Sequence, residues 1–431
     1  MLERVVGYSA SIMDSYDDCA ALVLVSGIDG PSDLKECVTS EKEIEFTSRN
    51  IHNSKLQTEI SSELLKLARP TNVNQLGASN KFFNMQFSNS IMVPEKVYPS
   101  KLSPRNPDCT DPVFSLSWID KYLYTMPTTA LVFYDQASNE TEEIVITQKI
   151  MHLKSRLGRL NCKLIVVLVG SESESSVSVL SLKRKAGLTG RDDIFVLDEN
   201  VANLHGFLES LMAIIYDHTT AYFDAKMNKI REKRKALMPP YDVMLWDIRF
   251  TLKLAFCAEF KKDERCSIKL FESAYDSLTL VFVKGAINTD SEEYYNGRQL
   301  LDLIAFKLVR KLVGQKAYSM FRLHIRTVHH IYELNSISLN SKCALKWSAN
   351  QFASFAQLCT LIESNQVSSS SSLYSKAVPH VPAGLLWLEV AQFLSKLGNS
   401  DQIEESLDDG FSEDEKDSVD IRNAVWNSIT G

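Results

Sequence analysis

The chain has 431 residues, too many for one typical core, and its 45% hydrophobic and 9% aromatic content is that of an ordinary globular protein, so two or three folded parts are expected. The formal charge of -7 is unevenly held: residues 401–420 carry ten acidic side chains and one lysine, leaving the remainder at about +2, which argues against nucleic acid as a partner. Eight cysteines with no CxxC pair fit reduced thiols in a cytosolic protein. The longest apolar run, 164–169, falls far short of the roughly 20 residues needed to cross a bilayer, so any membrane association is expected to be peripheral.

In chain order, residues 20–25 (AALVLV) read as a buried strand ending at Gly27. Residues 40–105 are polar and weakly periodic, with one helical stretch at 59–67, and are expected to form an insertion. From residue 129 short β-branched runs alternate with helical periods: TALVFY at 129–134, an amphipathic stretch at 142–160, a second run at 164–169, a Ser-rich loop and helix to Ala186, and a third run at 194–197. This alternation predicts parallel strands joined by crossovers, an α/β doubly wound layer over residues 1–238. A long helix from Val201 follows, with Leu204, Phe207, Leu208, Leu211, Ile214, Ile215 and His218 on one stripe. It ends in a basic run before Pro239 and Pro240, where the domain boundary is expected.

After Tyr241 most segments have helical period, and residues 239–400 contain one pattern twice. Leu254 and Ala255 are followed by Ser267, Phe271 and Ala274; fifty positions on, Ile304 and Ala305 are followed by Ala317 and Phe321. Small residues at matched offsets let antiparallel helices approach closely, and an aromatic seals the gap, which predicts an α-solenoid of tetratricopeptide-like helical hairpins. A stretch at 345–363, a Ser tract at 368–372 read as a flexible loop, and a final helix at 385–397 complete it. Residues 401–431 are expected to be an acidic, largely disordered tail, within which Val419, Ile421, Val425, Trp426 and Ile429 suit a short amphipathic helix.

Candidate chemistry is sparse. Neither a three-glycine dinucleotide fingerprint nor a phosphate-binding P-loop occurs; Gly27 and Gly30 follow a strand but suit an ordinary turn. Asp135, just past a strand end, is read as a capping or solvated aspartate, with a nucleotide-binding α/β enzyme using Asp135 and Asp29 as the competing hypothesis. The adjacent His329 and His330 face different ways on a helix and do not make a metal pair. No catalytic, cofactor or metal residue is assigned. Lys226, Lys229, Arg231, Lys233, Arg234 and Lys235 read first as the solvated end of a long helix and second as a patch for an anionic surface. Trp347, Gln351, Phe352 and Phe355 form a stripe that reads first as core and second as a groove for a partner protein.

The order of Trp118 and Leu123, Phe133-Tyr134-Asp135, Phe195-Val196-Leu197, and Tyr216, His218 and Tyr222 resembles the N-terminal region of the foie-gras family, subunit 11 of the trafficking protein particle (TRAPP) complex. The resemblance continues through Arg249-Phe250, residues 253–256, Glu259-Phe260-Lys261, Asp263 and Ala274-Tyr275. It returns at Phe321-Arg322, His324-Ile325, Trp347, Gln351-Phe352, Phe355 and Leu358. It covers roughly Asp111 to Glu363; residues 279–298 and everything before Asp111 match poorly. Family members continue into a β-rich C-terminal part, whereas this chain stops at Gly431 with an acidic tail.

The resemblance implies a non-enzymatic scaffold subunit of a vesicle-tethering complex in endoplasmic-reticulum-to-Golgi transport and autophagy, located in the cytoplasm and peripherally at Golgi or intermediate membranes. Its implied partners are the other TRAPP subunits and, indirectly, a Rab-family GTPase. A free-standing helical-repeat adaptor is a further alternative.

Overall fold

A computed structural model of the protein describes residues 19–28, 43–45, 51, 53–68, 83–87, 90–92, 113–114, 117–137, 139–170, 172–190, 193–198, 204–236, 243–312, 315–368 and 383–405. Five parallel strands form the main sheet: β1 (Ala21–Ser26), β3 (Phe83–Phe87), β5 (Thr129–Asp135), β6 (Lys163–Val169) and β7 (Ile194–Leu197), in the order β3-β1-β5-β6-β7. Two short strands, β2 (Glu43–Glu45) and β4 (Ser90–Met92), pair with each other. The main sheet is doubly wound, with its switch point between β1 and β5.

Both faces of the sheet are covered, which explains why its central strands are apolar without alternation. On one face Ala130, Val132, Leu164, Val166 and Leu168 pack against Ile150, Leu153 and Leu157 of α3 (Glu140–Leu160) and Leu182 of α4 (Glu172–Lys185). The other face (Val23, Val25, Leu131, Phe133, Ile165 and Val167) shares a core with α1 (Ser54–Ala68), with α2 (Ser117–Asp120) and the π-type turn after it (Lys121–Thr125), and with α5 (Leu204–Lys235).

Within the polar stretch 40–105 the described residues include one helix and one strand of the main body. Its α1 packs by Leu56, Ile60 and Leu64, and its β3 is the edge strand of the sheet itself. Because β3 buries only Phe83 and Met85, its sequence FNMQF carries half the apolar signal of a central strand.

Beyond the sheet come three antiparallel helical hairpins. The first pairs α6 (Val243–Phe260) with α7 (Glu264–Val283), the second α8 (Glu292–Lys311) with α9 (Gln315–Leu334), and the third α10 (Lys342–Ser368) with α11 (Ala383–Glu405). Asp263 caps α7 by accepting from the Cys266 amide, and Ser291 caps α8 by accepting from the Tyr294 amide. Ala255, Ser267, Phe271, Ala274 and Ile304 have no exposed surface and Ala305, Ala317 and Phe321 at most 4%, so the repeated small-residue pattern lies inside the hairpins. Phe271 meets the Phe256 ring edge-on at 5.2 Å, and Phe321 stacks on Phe355 at 4.2 Å.

Helix α5 joins the two parts. Its stripe of Leu208, Leu211, Ile215, Tyr222, Phe223 and Met227 begins on the sheet, and Phe223 then stacks on Phe260 of α6 at 4.9 Å. The expected boundary at Pro239 and Pro240 lies outside the described residues, but α5 and α6 on either side of it belong to one continuous apolar cluster running from Cys19 to Val390. The last helix continues to Glu405, five residues into the acidic segment expected to be disordered; the rest of that tail and the Ser tract after Ser368 lie outside the described residues.

Charge inside this core is neutralised locally. Asp302 of α8, 1% exposed, accepts from the Trp347 indole at 2.9 Å and from the Gln351 amide at 3.5 Å; it also faces His324 at 3.1 Å and Arg298 at 3.8 Å. The Arg298 guanidinium lies against the rings of Tyr332 and Trp347. Tyr275 extends the network from α7 by bonding His324 at 3.1 Å. One carboxylate thereby ties together helices of all three hairpins. Burial pushes its pKa up, but Arg298 and then His324 and Trp347 outweigh that, holding the carboxyl below the usual range.

Two stability measurements check this core. Phe271→Ala is expected to cost about 3–5 kcal/mol in urea unfolding, because a fully buried ring would leave a cavity; a loss under about 1 kcal/mol would place the ring at the surface. Asp302→Ala is expected to cost about 3–5 kcal/mol, because it leaves Arg298 buried without its counter-charge. Since the folded pKa of Asp302 is depressed, its stabilisation is full above the ordinary aspartate range near pH 4 and is lost as pH falls through the lowered value. Asp302→Asn should therefore flatten the acid limb of the stability profile; an unchanged limb would mean that the carboxylate is not stabilised by folding.

Candidate functional site

The sequence-derived candidates fall into two settings. The basic run ends α5. Lys229, Arg231, Lys233 and Lys235 are exposed, whereas Lys226 lies over the Tyr222 ring at 5.0 Å and Arg234 forms two hydrogen bonds with Asp247 of α6, at 2.5 and 2.8 Å. Arg231 also bonds Asn228. Arg234 is thus a fastener between α5 and α6, and four of the six cations remain on the surface. The stripe of Trp347, Gln351, Phe352 and Phe355 is interior, at 0, 5, 3 and 2% exposure. Trp347 and Gln351 serve Asp302, while Phe352 and Phe355 pack on Phe321, so these four side chains form core and present no open groove.

The competing α/β reading rested on the strand ends. Gly27 has φ +86° and approaches the Phe133 carbonyl so closely that a Cβ would clash with it, which explains the glycine by a close turn over β5. Asp135 ends β5 opposite Val169 and is half-buried; Asp29 and Gly30 lie outside the described residues. His329 bonds Ser348 at 3.2 Å while His330 faces Glu333 at 3.8 Å, so the adjacent imidazoles serve different neighbours. Burial lowers the His329 pKa. Among the described residues no helix is long and apolar enough to cross a membrane.

The structure brings forward charged groups that motif reading passed over, and they fasten the α/β layer to the hairpins. Glu259 of α6 pairs with Lys307 at 3.0 Å and Lys311 at 3.0 Å, all on the hairpin side; Lys307 also reaches the Cys19 thiol at 3.9 Å, just before β1. Burial pushes the Glu259 carboxyl up, but Lys307 and then Lys311 outweigh it and hold it below the usual range; burial pushes the Cys19 thiol up to about 12. Lys262 donates to the Cys19 carbonyl at 3.4 Å.

A second fastener holds the chain just ahead of α2. Glu293, in the first turn of α8, accepts from the Val113 amide at 2.6 Å and the Phe114 amide at 2.8 Å, while Arg249 of α6 donates to the Val113 carbonyl. Burial raises the Glu293 pKa, opposed by the two amides and Arg249. The signal for such residues is visible in retrospect: Asp302 and Lys307 are the only charges in the otherwise apolar run at 300–309. Their partners, however, lie on other helices.

With this geometry in view, residues 83–204 match the family model described as trafficking protein particle complex subunit 11 N-terminal domain. That span takes in β3, β5, β6 and β7 of the main sheet but not β1, so the likeness begins upstream of Asp111. Subunit 11 of the trafficking protein particle complex from Gallus gallus is 23% identical over 261 residues, covering 57% of this chain and 22% of the relative. The Bos taurus and Homo sapiens proteins of the same name are 23 and 22% identical over 262 residues, with the same coverage. The chain thus aligns with about a fifth of the length of these relatives. In its α/β layer and over more than half its length, this chain is similar to the N-terminal region of trafficking protein particle complex subunit 11.

Proposed function

We propose that the chain acts as a non-enzymatic scaffold subunit of a TRAPP-type vesicle-tethering complex, in endoplasmic-reticulum-to-Golgi transport and autophagy. The observation that carries this reading is the match of residues 83–204 to the subunit 11 N-terminal domain, in a chain whose sheet and hairpins share one core. A body whose sheet and hairpins are joined by internal charged fasteners suits a role in holding other subunits in place. In this reading its partners are the other TRAPP subunits and, through them, a Rab-family GTPase, and it works in the cytoplasm at Golgi or intermediate membranes.

The four exposed cations at the end of α5 (Lys229, Arg231, Lys233 and Lys235) support peripheral contact with an anionic membrane face, since each cation near such a surface contributes about 1 kcal/mol. A free-standing adaptor and a nucleotide-binding enzyme are the alternatives to be tested against this one.

Purification of the N-terminally tagged chain from cells, followed by a salt wash and mass spectrometry, is expected to recover core tethering subunits and a Rab GTPase. Recovery of none, from a well-folded monomer, would sink the scaffold reading for residues 1–431. Replacing Lys229, Lys233 and Lys235 by Glu is expected to weaken sedimentation with phosphatidylserine-containing vesicles roughly a hundredfold. If the parent chain binds these no better than pure phosphatidylcholine vesicles, membrane contact through α5 is wrong.

A further inference from the structure

The fastener around Val113 and Phe114 has the chemistry of a peptide-recognition site. Glu293 and Arg249 hold only main-chain groups of the segment: two amides and one carbonyl. Of its two side chains the Phe114 ring is the more deeply held: it is 2% exposed and rests on Gly297, where a Cβ would stand 3.1 Å from the ring and 3.0 Å from Phe282, while Val113 is only partly buried against the same core. Backbone hydrogen bonds give affinity without sequence, and a single shaped pocket gives selection, which is how extended peptides are recognised in general. The groups that would be uncovered by departure of the segment carry opposite charges on neighbouring ground, because Glu293 and Arg249 both bond the main chain of Val113. That makes exchange of the occupant less costly than uncovering an isolated buried carboxylate.

We propose that Glu293, Arg249 and Gly297 form a binding site for an extended peptide segment bearing an aromatic side chain, occupied in this structure by the chain's own Val113 and Phe114, which a partner segment of the same chemistry displaces. The occupant in cis lies directly before α2, whose Trp118 packs edge-on to Phe256 at 5.6 Å. Displacement therefore loosens the connection between the sheet and the hairpins, and a partner that inserts its aromatic residue couples its own binding to the angle between the two parts. The proposal is independent of whether the partner is a tethering subunit.

The test uses the full chain and a fluorescent peptide of residues 109–117. A chain carrying Phe114→Ala, shown to be folded by its melting curve, is expected to bind the peptide at least about tenfold more tightly than the parent, because the competing occupant has been weakened. Adding Gly297→Val to that chain, or F114A to the peptide, should abolish binding. Equal affinity of both chains, or indifference to the ring in the peptide, overturns the proposal and leaves the contact as packing alone. If Phe114→Ala does not fold, the parent decides: excess peptide is expected to speed amide exchange at Val113 and Phe114 while leaving the centre of α6 unchanged. Unaltered exchange at those two amides overturns it equally.

Discussion

The structure depends on the nearly complete burial of the middle of α8. In α8, residues 300–305 and 307–309 are buried without a break, more than one amphipathic face supplies, so this helix requires cover from opposite sides. Helices α7 and α9 both pack against it. Burial all round also means that each charged residue in such a helix must find its partner inside, which is the position of Arg298, Asp302 and Lys307. An unpaired charge there would cost more than the packing of any single apolar neighbour gains.

The same constraint explains why the sheet and the hairpins form one body. The Phe223 and Phe260 stack, the Arg234 and Asp247 pair, the Lys307 and Cys19 contact, and the Glu293 clamp on Val113 and Phe114 all cross between them. These contacts differ in kind. The aromatic stack is non-directional and tolerates small shifts, whereas the Glu293 clamp is directional, reading the backbone of one short segment. A body held by both is joined broadly through its core and specifically at one short segment, so a competing segment could replace the clamp without disturbing the aromatic stack.

Much of the architecture was legible in the chain. Apolar runs without alternation at 129–134 and 164–169 reported strands covered on both faces, and the matched small residues around Ala255 and Ala305 reported close helix pairs. Strand β3 was less legible: an edge strand buries one face and leaves its other residues free to be polar, so FNMQF carries little periodic signal. The stripe around Trp347 was legible as apolar, and its interior position follows from the cover that α9 and α11 provide.

Local periodicity, small-residue spacing and turn chemistry are properties of neighbours in the chain, and they suffice to specify that parallel strands are followed by helical hairpins. Which charges neutralise each other depends on residues far apart: Asp302 on Trp347, Lys307 on Glu259, and Glu293 on the amides of Val113 and Phe114. No period links such partners, because they lie on different elements whose relative placement is set only when the cores close. It takes the packing of α5 on α6 to make Arg234 fasten two helices while Lys229, Arg231, Lys233 and Lys235 face solvent. The folded arrangement likewise brings Glu293, unremarkable in sequence, to grip the chain ahead of α2.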